Sequence, residues 1–283
     1  MARQAALRGD GGGDTNSAAD ARTLKALLLT GAVKPVDWTN ASSSPLDARY
    51  GAGVVNILNS YEQLIAGKHG RSISTNLSPG AAHPPLVLTN PVSILRGWDF
   101  TTNCTTATSD QVGHYFFNVT NAAGGGIFSA TITLVWNRQA GQTNINDLDL
   151  FLFNAASSNP VAWSTSRVDN VEHIFVPQLP PGRYDVEVLK NGGTNVVSNA
   201  ETYALAWEFI SPELKITRTG TNTLLTWPLY PAGFLVEART NLLEGAWSAD
   251  GLAAFPAITN GLNNIPLNTT NALQFFRLRK PDL

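Results

Sequence analysis

The chain has a single cysteine, Cys104, in 283 residues. One thiol excludes an internal disulfide framework and a cysteine-based zinc site. Charge is sparse and nearly balanced: Asp, Glu, Lys and Arg make up 14% of the residues, with a formal net charge of −2. General nucleic-acid binding is excluded, because neutralising phosphates needs a clear Lys/Arg excess. No run reaches the roughly 18 to 20 apolar residues of a membrane span. The opening stretch from Met1 to Asp10, as written, lacks the apolar core of a secretory signal.

What is present points to a multidomain, mostly β protein. The 43% hydrophobic content is enough for sizeable cores, and the length suits two or three domains. Glycine, proline and asparagine supply turns and threonine favours strands. Helical signals are confined to the first 70 residues or so. Leu24, Leu27 and Leu28 fall at helical spacing within a run from Ala18 to Thr30, a spacing Ala32 continues, with Gly31 as a stop signal. A second helix is expected from near Gly53 to Ala66. Two helices of that size need a larger body to pack on.

Residues 71–85 are poor in large apolar side chains and read as a linker. Beyond them the period becomes two, in Tyr115/Phe117/Val119, Phe128 through Trp136, Leu148/Leu150/Leu152, Tyr184/Val186/Val188 and Tyr203 through Phe209. Turn signals separate these runs, predicting a jelly-roll β-sandwich over residues 86–211. After Ser211-Pro212, shorter alternations at Leu225/Trp227, Phe234/Val236 and Phe276/Leu278 predict a small immunoglobulin- or fibronectin-like sandwich over 212–283.

Leu24 to Ala32, followed by Tyr50-Gly51-Ala52-Gly53-Val54-Val55-Asn56, resembles the end of the catalytic domain of a subtilisin-like serine peptidase, a subtilase. Thr133 to Trp136, Asn146 to Leu150, Asn170-Val171-Glu172 and Pro181 to Val186 are similar to the jelly roll that follows that domain in some bacterial subtilases. Leu224 to Trp227, Phe234 to Glu237 and Phe275 to Leu278 resemble a module that ends many large secreted bacterial proteins. The resemblance implies that residues 1–70 complete an α/β catalytic domain and that the protein is bacterial and exported. It also implies a peptide substrate, reached through a catalytic portion outside this chain. The family's D-[ST]-G, H-G-T and G-T-S motifs are absent. His69-Gly70-Arg71 lacks the threonine and follows the family's last helix, and no serine near His69, His83, His114 or His173 has a nucleophile signature. No triad is assigned, and this chain alone is expected to be inactive. The other reading is a non-catalytic extracellular binding or adhesion protein built from two β-sandwiches.

Alternation places the carboxylates of Asp147 and Asp149 on one strand face, opposite Leu148, Leu150 and Leu152. With Asn146, Asp169, Asn170 and Glu172, they form a candidate calcium site, since calcium takes six to eight oxygens. The subtilase resemblance implies calcium as well. The alternative is that these side chains cap loops at the sandwich rim. Asp10 to Asp14 lacks the spacing of an EF-hand and reads as a flexible loop, and Gly51-Ala52-Gly53 lacks the rest of a phosphate loop. Trp136, Trp207 and Trp227 fall in core register, whereas Trp163 and Trp247 are candidates for stacking on a glycan or cell-surface ligand. Cys104 is expected to be a buried or half-buried free thiol, with no neighbouring His, Lys or Arg in sequence to activate it.

Overall fold

The computed structural model describes residues 2–76, 94–106, 108–120, 126–192, 197–219, 222–249, 252, 256–259, 261–267 and 274–279. Four helices come first: α1 (Ala2–Leu7), α2 (Thr15–Ala18), α3 (Ala21–Thr30) and α4 (Ile57–Ala66). The run expected as one helix from Ala18 breaks at Asp20, whose carboxylate accepts a bond from the Arg22 N–H at 2.9 Å and caps α3. The second helix starts at Ile57 rather than near Gly53, because the Asn56 side chain accepts from the Asn59 N–H at 3.2 Å.

Nine strands follow: β1 (Ser72–Asn76), β2 (Arg96–Cys104), β3 (Asp110–Val119), β4 (Phe128–Trp136), β5 (Leu148–Asn154), β6 (Asn159–Ser164), β7 (Val171–Leu179), β8 (Gly182–Lys190) and β9 (Ala200–Ile210). One antiparallel sheet has the order β2-β9-β4-β7 and the other β1-β3-β8-β5-β6. From β2 to β9 successive strands alternate between the sheets, with β5–β6 the one hairpin, which is a jelly-roll connectivity. Residues 72–76, expected in the linker, instead form β1, paired with β3 from Ser72 opposite His114 to Asn76 opposite Asp110. The remainder of the expected linker, 77–85, lies outside the described residues.

The alternating side chains meet between the sheets. Tyr115, Phe117, Leu148, Leu150, Leu152, Val186 and Val188 pack against Ile132, Leu134, Trp136, Leu205 and Trp207. Strand β4 is buried at every position because its other face is also covered. There Val135, Ala204, Ala206 and Trp98 meet Ala26 and Leu27 of α3 and Leu64 of α4. Burying a leucine of this kind contributes about 2 kcal/mol. The Trp98 indole donates to the Leu64 carbonyl at 3.2 Å, so this apolar seam also satisfies the buried N–H. The helices therefore form a third layer on the outer face of β2-β9-β4.

The C-terminal strands are β10 (Lys215–Thr219), β11 (Asn222–Pro228), β12 (Leu235–Arg239), β13 (Ala257–Thr259), β14 (Leu262–Leu267) and β15 (Phe275–Arg279). They form a β10-β11-β14-β13 sheet and a β12-β15 pair around Leu225, Trp227, Val236 and Ile265. The chain is mainly β, as its composition and alternation predict. No helix among the described residues is long and apolar enough to cross a membrane.

Candidate functional site

The six residues expected around calcium do not share one environment. Asn146 is buried and engaged at both ends: its amide donates to Glu201 at 2.6 Å, and its oxygen accepts from the Val197 and Ser198 N–H groups. Asn170 donates to the Trp136 carbonyl at 2.8 Å, and exposed Asp169 accepts from the Ser166 hydroxyl at 2.7 Å. Asp147, Asp149 and Glu172 do lie close enough to act on one another. Burial, reinforced by the Asp147 charge and opposed by Arg167, raises Asp149 to about 7. Glu172 is raised to about 9, chiefly by burial, with bonds from Ser164 and Ser166 opposing the shift. Its two oxygens accept from the Ser164 hydroxyl and the Ser166 N–H. Calcium here would have to displace the bonds already made to the oxygens of Asn146 and Glu172.

Arg167 and Asn170 also line a cleft of about 460 Å³, with Arg138, Thr143 and Asn144. Guanidinium, amide and hydroxyl groups there suit a polar, hydroxyl-bearing ligand. Of the two candidate stacking tryptophans, Trp163 is 48% exposed and stands opposite Phe151 across β5–β6. Trp247 is half-buried beneath the guanidinium groups of Arg277 and Arg239, 4.6 and 5.7 Å from the ring. Trp136, Trp207 and Trp227 are core residues.

A second polar cluster is one that sequence reasoning did not single out. It occupies the face of the five-stranded sheet away from the sandwich core. On β3, His114 alternates with core residues Tyr115 and Phe117. On β8, Asp185 and Glu187 alternate with Tyr184, Val186 and Val188. The register sets His114 opposite Glu187 and Phe116 opposite Asp185. The three ionisable residues are 1%, 0% and 1% exposed. His114 Nδ1 is 2.7 Å from Asp185 Oδ2 and 3.5 Å from Glu187 Oε1, while its Nε2 is 2.7 Å from the Ser74 hydroxyl on β1. The hydroxyl–imidazole–carboxylate order is that of a serine hydrolase, but the imidazole is closed to solvent and therefore to a substrate. Burial and the Asp185 charge raise Glu187 to about 10. Burial also raises Asp185, against the lowering pull of His114.

The remaining candidates are structural. Asp14 accepts the Ser17 N–H at the start of α2 and pairs with Lys68 at 2.7 Å, so the Asp10–Asp14 loop is anchored by its last carboxylate. The His69 ring contacts the Ala66 carbonyl at 3.1 Å. Cys104 is a half-buried free thiol.

The sequence matches no known protein family, and no curated protein matches it. Among solved structures, the enzymatically active domain of tailspike protein 4 of bacteriophage CBA120 is 12% identical, over 50% of this chain and 18% of that one, with a TM-score of 0.27. A GH2 β-galacturonidase from Eisenbergiella tayi, bound to galacturonate, is 10% identical over 76% of this chain and 38% of that one, with a TM-score of 0.23. The chain thus spans well under half the length of either, and the scores are too low to bear on function.

Proposed function

We propose that this chain is the C-terminal part of a secreted subtilisin-like serine endopeptidase. The helical layer carries this reading. Its inner side is buried on the jelly roll, yet its outer side is apolar as well. A groove of about 490 Å³ between α1, α3 and α4 is lined by Leu24, Leu28, Ile57 and Tyr61 among others. Val54, Val55, Ile57 and Leu58 beside it are more than half exposed. A layer with two apolar faces is suited to lie between two bodies. In this reading one body is the jelly roll and the other is the remainder of an α/β catalytic domain, which the sandwich braces.

The intact enzyme acylates its serine with the peptide substrate and stabilises the tetrahedral intermediate in an oxyanion hole. This chain alone, without the family's three motifs, does neither. The β domains contribute bracing, spacing or surface attachment. Reading the genomic DNA upstream of the Met1 codon tests the proposal. An open in-frame stretch encoding D-[ST]-G, H-G-T and G-T-S motifs is expected. An in-frame stop with a ribosome-binding site just before Met1 overturns it.

A second reading, an extracellular adhesion or glycan-binding protein, is favoured by the Trp163–Phe151 pair and the Arg138–Arg167 cleft. Retention of the full chain on insoluble polysaccharide or cell wall, reduced by Trp163→Ala, supports it.

A further inference from the structure

The His114–Asp185–Glu187 cluster poses a problem of charge. Two carboxylates and an imidazole lie side by side with almost no exposure to water. Buried ionisable groups need partners that offset their lost hydration. His114 Nδ1 meets one oxygen of Asp185, and the Asp185 and Glu187 carboxyls meet each other, but Asp185 Oδ1 and Glu187 Oε1 have no partner on any other side chain or backbone group among the described residues. Both oxygens are on the side chains that face the imidazole, so in the absence of an ion only a proton held between the two carboxyls offsets their charge.

Three observations specify that ion. The ligand atoms of the three residues all lie within 4.8 Å of one another, compact enough to converge on one ion. Ligand atoms around zinc, each about 2.0–2.2 Å from the metal, stand roughly 3.3–3.6 Å apart. His114 Nδ1 and Glu187 Oε1 are 3.5 Å apart, whereas Asp185 Oδ2 is at hydrogen-bond distance, 2.7 Å, from Nδ1, so Asp185 has to open by about 0.6 Å or turn its other oxygen inward to share an ion with the imidazole. Second, the Ser74 hydroxyl meets the far ring nitrogen, Nε2, at 2.7 Å. A metal-bound histidine characteristically gives its other N–H to such an acceptor, which fixes the ring and its tautomer. Third, one imidazole and two carboxylates cancel the charge of a divalent ion while offering mixed nitrogen and oxygen ligands. That chemistry suits zinc and its first-row neighbours and not calcium, which takes an oxygen cage.

We propose that His114 Nδ1, Asp185 and Glu187 bind one divalent ion of the zinc class, with Ser74 orienting the imidazole. The ion is a staple: it ties β3 to β8 on the outer face, and through Ser74 it holds the edge strand β1, whose sheet partner is β3. This assignment is independent of the peptidase reading.

The test uses the full chain. Elemental analysis of protein purified without chelator is expected to find one equivalent of a zinc-class ion. After chelation, zinc should raise Tm and calcium should not, and cobalt(II) should give visible d–d bands. Because His114→Ala risks misfolding, the decisive variant is Glu187→Gln. It should keep the far-UV circular dichroism of the wild type, lose the cobalt bands and bind zinc at least tenfold more weakly. Ser74→Ala should weaken zinc by about 10- to 100-fold. A folded, metal-free chain with no cobalt bands and no zinc shift overturns the proposal, as does a Glu187→Gln variant that binds like the wild type. Labelling of Ser74 by a fluorophosphonate also overturns it, because the imidazole would then be acting on the serine.

Discussion

The backbone carbonyl of Val33 occupies the space a side chain on Gly53 would need: a β-carbon there would lie 2.4 Å from the Val33 oxygen. Gly53 has φ of +120°, and the next residue, Val54, makes an antiparallel bridge back to Val33. The pair fixes where the chain turns into α4, three residues before the Asn56 cap. Gly53→Ala therefore meets both a strained backbone and a backbone clash that no side-chain rotation relieves. It is expected to cost about 3 kcal/mol, measured as a lower urea midpoint. A variant within about 0.5 kcal/mol of wild type would show that the turn is not held by this contact.

Much of this architecture is written in the residue pattern. Leu148, Leu150 and Leu152 alternate and face the core, and Leu27 falls on the buried side of α3. Strand β1 was hidden because Ser72-Ile73-Ser74-Thr75-Asn76 has no apolar alternation. It is an edge strand held by its ladder to β3, a long-range pairing that local pattern does not encode. The His114 cluster was hidden for a related reason. His114 is 71 positions from Asp185 in the chain, and the pattern of both strands is set by the core-facing side chains between the ionisable ones. One signal was available. The outward positions of β3, β5 and β8 also carry Phe116, Phe151, Phe153 and Leu189, so that face is apolar and ionisable groups on it are candidates for burial. In the expected calcium set the Asn146 oxygen is held by the Val197 and Ser198 N–H groups and the Asn170 amide donates to the Trp136 carbonyl, the capping role that such side chains often take.

The seam between helices and sheet should respond to pH through Glu208. This buried carboxylate on β9 accepts from the Gln63 amide of α4 at 3.0 Å and lies 3.8 Å from Arg96. Burial raises it to about 7, with Arg96, Gln63 and Lys34 pulling the other way. A carboxyl with a raised folded pKa stabilises most below its unfolded value, and that contribution is lost as pH rises through the folded value. Wild type should lose up to about 3 kcal/mol relative to Glu208→Gln between pH 4.5 and pH 7. Denaturant titrations of both proteins at the two ends of the window measure it, and parallel curves would place Glu208 in water.

Lys34 should act in the opposite direction over a higher window. It is buried, contacts the Ala32 carbonyl at 3.2 Å and sits over the rings of Trp38 and Phe175 at 5.2 and 5.6 Å. Desolvation lowers it to about 7 despite the Glu208 charge. The unfolded chain then binds the extra proton, so folding gains from Lys34 as pH rises from about 7 to its unfolded value near 10.4. Lys34→Met removes that gain while keeping the apolar stem. The wild-type-minus-variant stability difference should therefore grow between pH 7 and pH 10, read by urea midpoints. A difference that stays level would show the ammonium to be solvated.

The outer groove of the helical layer makes the most direct prediction for the proposed peptidase. Ile57 is 55% exposed at the start of α4 and lines the groove with Leu24, Leu28 and Tyr61. In this chain alone the groove should bind a hydrophobic dye such as ANS and promote concentration-dependent association, because contiguous exposed apolar surface attracts its like. Ile57→Asp should reduce dye fluorescence several-fold. It should leave stability within about 0.5 kcal/mol, since an exposed position contributes little to the fold. When the same helices are expressed within a longer chain carrying the catalytic motifs, the dye should no longer bind, because the groove is then the interface. Dye binding that persists unchanged in that longer chain would mean the catalytic body sits elsewhere, and the helical layer would lose its place as the joint between the two.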